Sequence, residues 1–270
     1  MTQSPGTPSP DIHLIAPGGW QSRLQSTLDY EAAMKELEPF DHYYTWTLRA
    51  ALCTYQNRFD DALQFCNRSS ENMPDLDGAD DETWRRYMFN LAIRFDAQRF
   101  IEARNGEHEI AKTDAIAERI AAISDAQGVH TVRLQQKILA FHHVLRRRFG
   151  EAYELYEKLI QQARQNPEFG VVSYMGAAAV AHELGYFKEA RQHYENGELC
   201  MSFSSDRLVT ILYSAILKAL CGHWGWENEA TRWSNTIDVM SPNENTRRCM
   251  HERSRLINVN ITSGVTATAL

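Results

Sequence analysis

The feature that most constrains this chain is an alanine that keeps returning in one setting. The segments "NRFDDALQF", "NGEHEIAKT", "RRFGEAYELY", "LGYFKEARQHY" and "GWENEATRW" each place a turn residue or a positive charge, often an aromatic, then a charged residue close before an alanine. The alanines are Ala62, Ala111, Ala152, Ala190 and Ala230, separated by 49, 41, 38 and 40 residues. Two antiparallel helices joined by a short turn approach most closely beside that turn, and a small side chain permits the contact. The recurrence predicts an all-α chain of stacked helix pairs. The aromatic ahead of the alanine (Phe59, Phe149, Phe187) is expected to close the apolar end of its pair. The aromatic or thiol one turn later (Cys66, Tyr156, Tyr194) is expected to pack on the neighbouring pair.

Breaks fall where backbone chemistry demands them: Pro39, Pro74, Asn105-Gly106, Gly128, Pro167, Gly185 and Ser241-Pro242. With 8 prolines and 14 glycines in 270 residues, helices are favoured over a turn-rich β chain. Residues 1–19, with Pro5, Pro8 and Pro10, read as a flexible leader. Residues 20–255 read as one helical-repeat domain, and 256–270 as a loosely ordered tail.

From these residues the chain resembles the tetratricopeptide repeat family. The best match is "WTLRAALCTYQNRFDDALQFCNRSSENMP", with Trp46, Ala50, Phe59, Ala62 and Pro74 in the family's places. "YMGAAAVAHELGYFKEARQHY" follows, with Tyr174, Ala178, Gly185, Phe187, Ala190 and Tyr194. "ILAFHHVLRRRFGEAYELY" keeps Leu139, Ala140, Phe149, Ala152 and Tyr156 but lacks the turn glycine. The usual period of about 34 residues is exceeded here, which implies extended helices or linkers. The resemblance implies a right-handed α-solenoid whose first helices line a concave groove. It puts Tyr44, Thr47, Ala51, Tyr55, Asp96, Phe100, Arg104, Lys137, Phe141, His182 and Glu183 towards that groove. Thr47 and Ala51 stand where a co-chaperone clamp for C-terminal carboxylates would need Lys and Asn, so that kind of recognition is not expected.

Chemistry-bearing motifs are sparse. HExxH, GxxxxGK[ST], GxGxxG and GxSxG are all missing, so no enzyme activity and no cofactor are expected. Cys221-Gly-His223 and Cys249-Met-His251 are spaced by two, which on a helix turns the ligands to different faces; no metal site is expected. "DLDGADDE" lacks the alternation of a calcium loop and reads as a loop whose Asp80 or Asp81 caps the next helix. Arg146, Arg147 and Arg148 beside His142 and His143 suit a helix C-terminus, with Arg146 and Arg147 as an alternative anion contact. Trp224, Trp226 and Trp233 read as sealing the core near the end of the array rather than as a docking edge.

Charge and cysteines bound the partners. A balance of 28 basic against 35 acidic residues, net −7, disfavours nucleic acid. Five scattered cysteines suit free thiols in a reducing compartment, and no signal peptide or membrane-spanning run is visible, so a cytoplasmic protein is expected. The leading expectation is a non-catalytic scaffold for a protein or peptide partner, contacted through Tyr44, Tyr55, Phe100, Arg104, Lys137, Phe141, His182 and Glu183. A regulatory domain holding a small peptide or effector in the groove is the alternative. A weak homo-oligomer is expected from incompletely capped ends.

Overall fold

In a computed structural model the described residues are 29–106, 110–123, 128–163, 170–202 and 207–266, and among them every regular element is a helix. In chain order these are α1 (Tyr30–Leu37), α2 (Tyr43–Tyr55), α3 (Phe59–Glu71), α4 (Asp81–Arg104), α5 (Ala111–Ala121) and α6 (Val129–Leu145). They continue as α7 (Phe149–Ala163), α8 (Gly170–Glu183), α9 (Phe187–Ser202), α10 (Arg207–His223), α11 (Glu227–Met240) and α12 (Glu244–Thr266). The all-α expectation holds. The leader at 1–19 lies outside the described residues.

One turn is built four times. At the end of α2, Asn57 N–H donates to Thr54 O (3.1 Å) and Arg58 N–H to Cys53 O (2.8 Å), with Asn57 at φ 58°. This is the Schellman closure, in which a left-handed residue turns the chain and satisfies the last helical carbonyls. Arg147, Gly185 and Gly225 hold the same place after α6, α8 and α10, at φ 57°, 78° and 73°. The paired bonds recur as Arg148 N–H to His143 O, Tyr186 N–H to Ala181 O and Trp226 N–H to Cys221 O, each 2.8 Å. The next helix starts at once, and its fourth residue is the alanine: Ala62, Ala152, Ala190 and Ala230 donate to Arg58, Arg148, Tyr186 and Trp226.

Ala62, Ala152 and Ala190 are fully buried and Ala230 is half-buried. Ala111 departs from the rule: it is the exposed first residue of α5 rather than the buried fourth. The position one helical turn beyond Ala62, Ala152 and Ala190 does reach the next element. Cys66 approaches Asn90 O of α4, the Tyr156 ring lies against Gly176 of α8, and Tyr194 bonds Trp233 of α11.

Arg147 explains the missing turn glycine, since an arginine there carries the steric cost of left-handed backbone. Replacing it, Arg147→Gly, is expected to raise stability by about 0.5–1 kcal/mol, read as a higher midpoint in chemical denaturation.

The chain forms two compact units, one ending at Ile101 and the other beginning at Glu102. In the first, Leu48, Leu52, Phe59, Phe95 and Phe100 build the core. Asn90 of α4 ties α2 to α3 there, its amide donating to Thr47 Oγ1 (3.2 Å) and Cys66 O (3.4 Å) while Thr47 meets Ser69 at 2.8 Å. Asp80, not Asp81, caps α4 by accepting from Thr83 N–H (2.8 Å). In the second unit, Ala140, Ala152, Tyr156 and Val180 pack across α6, α7 and α8, and Met175, Tyr194, Leu217, Trp224 and Trp233 across α8 to α11. α12 continues to Thr266, and Leu256 is buried within it.

Candidate functional site

The second unit gathers its most unusual side chains where α8 turns into α9 and α10 into α11. The turn after α8 delivers Tyr186 and Phe187, which are 50% and 62% exposed, against a fully packed Phe59 and a half-buried Phe149 at the equivalent positions. Phe187 therefore does not close its pair as expected; its ring stands edge-on to His182 at 5.1 Å. His182 in turn stacks on Trp224 at 5.2 Å, and Trp224 meets Trp226 at 4.8 Å. An aromatic ridge thus runs from solvent at Phe187 into the core at Trp224.

Beside the ridge, His223 Nε2 lies 2.8 Å from Glu183 Oε1 across α8 and α10. The His223 bond holds the Glu183 carboxyl below its ordinary range, and burial lowers His182, which is neutral at pH 7. Both depressed values act in one direction. Their stabilisation is full above the ordinary histidine value and falls with acidification, first as the unfolded-state histidine binds protons and then as Glu183 is protonated. Deeper in, Tyr194 Oη accepts from Trp233 Nε1 (2.9 Å) and Arg232 (2.8 Å) and donates to Glu229 (3.2 Å). Arg191 covers the Tyr194 and Trp226 rings at 5.3 and 5.1 Å. Trp224 Nε1 is buried without an acceptor among the described residues, a state that costs about 1–3 kcal/mol.

Of the residues assigned to the groove, His182 and Glu183 belong to this cluster. Lys137 and Phe141 lie on α6, half-buried, and Arg104 is exposed at the end of α4. Tyr44, Tyr55 and Phe100 fall in the other unit. Phe100 is corrected to a core residue, fully buried and stacked on Phe59 at 4.9 Å; Thr47 and Ala51 are likewise buried. Tyr44 is buried with the Arg86 guanidinium 4.6 Å over its ring, and Tyr55 stands 6.3 Å from Tyr30. Arg146 already holds an anion of this chain: with His142 (2.7 Å) it grips Asp114 of α5 through an Nε contact of 2.8 Å. Arg147 lies 5.7 Å over Phe149.

The two Cys-x-His pairs point to separate partners. Burial pushes the Cys221 thiol up to about 12, while His223 turns to Glu183. Cys249 is half-buried and His251 binds Lys218 and Asp238. Among the described residues no three metal-ligating side chains converge, and no helix is long and apolar enough to cross a membrane. Tyr186 was missed in the sequence because an aromatic beside a turn glycine looks the same whether a neighbour covers it or solvent does. No protein-family model, curated protein or solved structure matches the chain.

Proposed function

We propose that this chain is a non-catalytic scaffold, a right-handed α-solenoid of tetratricopeptide-like helix pairs that binds a protein or peptide partner. The four equivalent turns support the repeat reading, because each pair has one face to bury and a neighbour supplies the cover. The exposed Tyr186–Phe187 knuckle beside the His182–Trp224 stack carries the binding reading. Adjacent large aromatics standing half out of the surface, continuous with the core, have the character of an interaction hot spot. A peptide with an apolar side chain to set against Phe187 fits this edge. The buried thiols suit a reducing, cytoplasmic setting.

The test compares the tagged full chain with its Tyr186→Ala/Phe187→Ala variant as baits in one lysate. The exposed pair is expected to alter stability by less than about 0.5 kcal/mol. A protein retained in stoichiometric amount by the parent is expected to fall at least about tenfold on the variant, equivalent to losing about 1.4 kcal/mol. Equal capture by both baits would refute the edge as the docking site.

A further inference from the structure

The C-terminal helix covers a second surface, independent of the aromatic edge. α12 lies along α10 and also touches α6. Those two are the leading helices of different turn-linked pairs, so one helix spans the side that both present. Among the described side chains of α12, Thr246, Met250, Arg253, Ser254 and Leu256 are buried, and of these five Met250 and Leu256 are large and apolar. Thr246 Oγ1 is buried with no hydrogen-bond partner among the described residues. So polar a face resembles an interface that opens more than an inseparable core layer.

A polar latch completes the contact. Lys218 Nζ of α10 lies 2.7 Å from His251 Nδ1 of α12, and His251 Nε2 lies 2.8 Å from Asp238 Oδ1 of α11. With Nε2–H donating to Asp238, Nδ1 is free to accept from the lysine. Arg247 also faces Asp238, at 3.7 Å. Asp238 and His251 are both partly open to solvent, which makes the latch weak and releasable.

We propose that α12 is a resident occupant of the face formed by α6 and α10, and that the partner for this face is an amphipathic helix of the same pattern, which displaces it. The arriving helix carries two large apolar side chains spaced like Met250 and Leu256 with a basic residue between them. This is helix-in-groove recognition, with the chain's own segment as the competitor. An occupied face weakens apparent affinity by the fraction of time it is covered, so loosening the latch from its α12 side, at His251, raises affinity without altering the face.

The test uses the full chain and a fluorescein-labelled peptide of residues 243–266. His251→Ala in the full chain, which leaves the face and the peptide's own His251 unaltered, is expected to bind the peptide about threefold more tightly than the parent. Its α12 amides are expected to exchange with solvent about threefold faster while those of α8 and α9 keep their rates. Lys218→Ala removes the latch from α12 and the peptide alike, so it is expected to speed α12 exchange without tightening the peptide. A peptide with aspartates in place of Met250 and Leu256 is expected not to bind. If α12 amides exchange only together with those of α8, or if α12 opens and no peptide binds, the proposal is overturned. The Tyr186→Ala/Phe187→Ala protein is expected to bind the peptide unchanged, so failure at the aromatic edge and failure here are separately visible.

Discussion

Gly176→Ala is expected to destabilise the second unit by about 3 kcal/mol, at the upper end of what overpacking a core costs. A methyl group on Gly176 would stand 2.2 Å from both Cε1 and Cζ of Tyr156, well inside van der Waals contact. The Tyr156 ring is 2% exposed and enclosed by α6, α7 and α8, so it has nowhere to swing. α7 and α8 pack directly on one another, and the absent side chain at 176 is what lets the ring in. Gly197 in α9 supplies the contrast. A methyl there would meet its nearest neighbour at 3.5 Å, an ordinary contact, so Gly197→Ala is expected to stabilise by about 0.5–1 kcal/mol through helix propensity alone. Opposite signs at these two helical glycines would be read as a lowered and a raised midpoint in urea. Adding Tyr156→Leu to Gly176→Ala is expected to cost less than the sum of the two single changes, since the leucine vacates the ring's place. A Gly176→Ala protein with the parent's midpoint would mean that the α7–α8 approach is looser than described.

The turn-linked pairs were legible because their signal is local. Asn57, Gly185 and Gly225 are residue types that tolerate left-handed backbone, and each stands a fixed step ahead of a helix start. Arg147 hid the same turn, and only the surrounding "RRFGEA" pattern gave it away. Ala111 misled in the opposite direction: its segment has the charge and the alanine, yet the residue opens α5 and ends up exposed. The site was less legible, since it depends on which surfaces are covered. Phe59, Phe149 and Phe187 are equivalent in sequence, yet Phe59 finds Phe100 4.9 Å away while Phe187 remains exposed. Phe100 looked like a groove residue because the repeat resemblance names a face without saying what lies against it. The reach of α12 was hidden by its composition: "NVNITSGVT" is rich in β-branched and small residues, which have modest helix propensity.

Glu102→Ala is expected to cost about 2–4 kcal/mol, from leaving buried donors without their acceptor. Glu102 sits in the last turn of α4, where a negative charge opposes the helix dipole, and it is only 1% exposed. Both conditions are unfavourable, so its partners must offset them. α5 opens at Ile110, a residue with no capping side chain, and its first free N–H groups turn instead to this carboxylate. Glu102 Oε1 accepts from Lys112 N–H (3.2 Å) and Thr113 N–H (3.3 Å), and Oε2 accepts from the Thr113 hydroxyl. The preceding helix thus supplies the cap that α5 lacks, and the positive end of the α5 dipole receives the charge that α4 disfavours. Glu102→Gln keeps an acceptor but not the charge, and about half the loss is expected. Hydrogen exchange separates this from a general packing defect: the Lys112 and Thr113 amides should lose protection first, ahead of those in α8 and α9. Uniform loss of protection across the unit would show instead that Glu102 acts through the core, and that α5 finds its cap elsewhere.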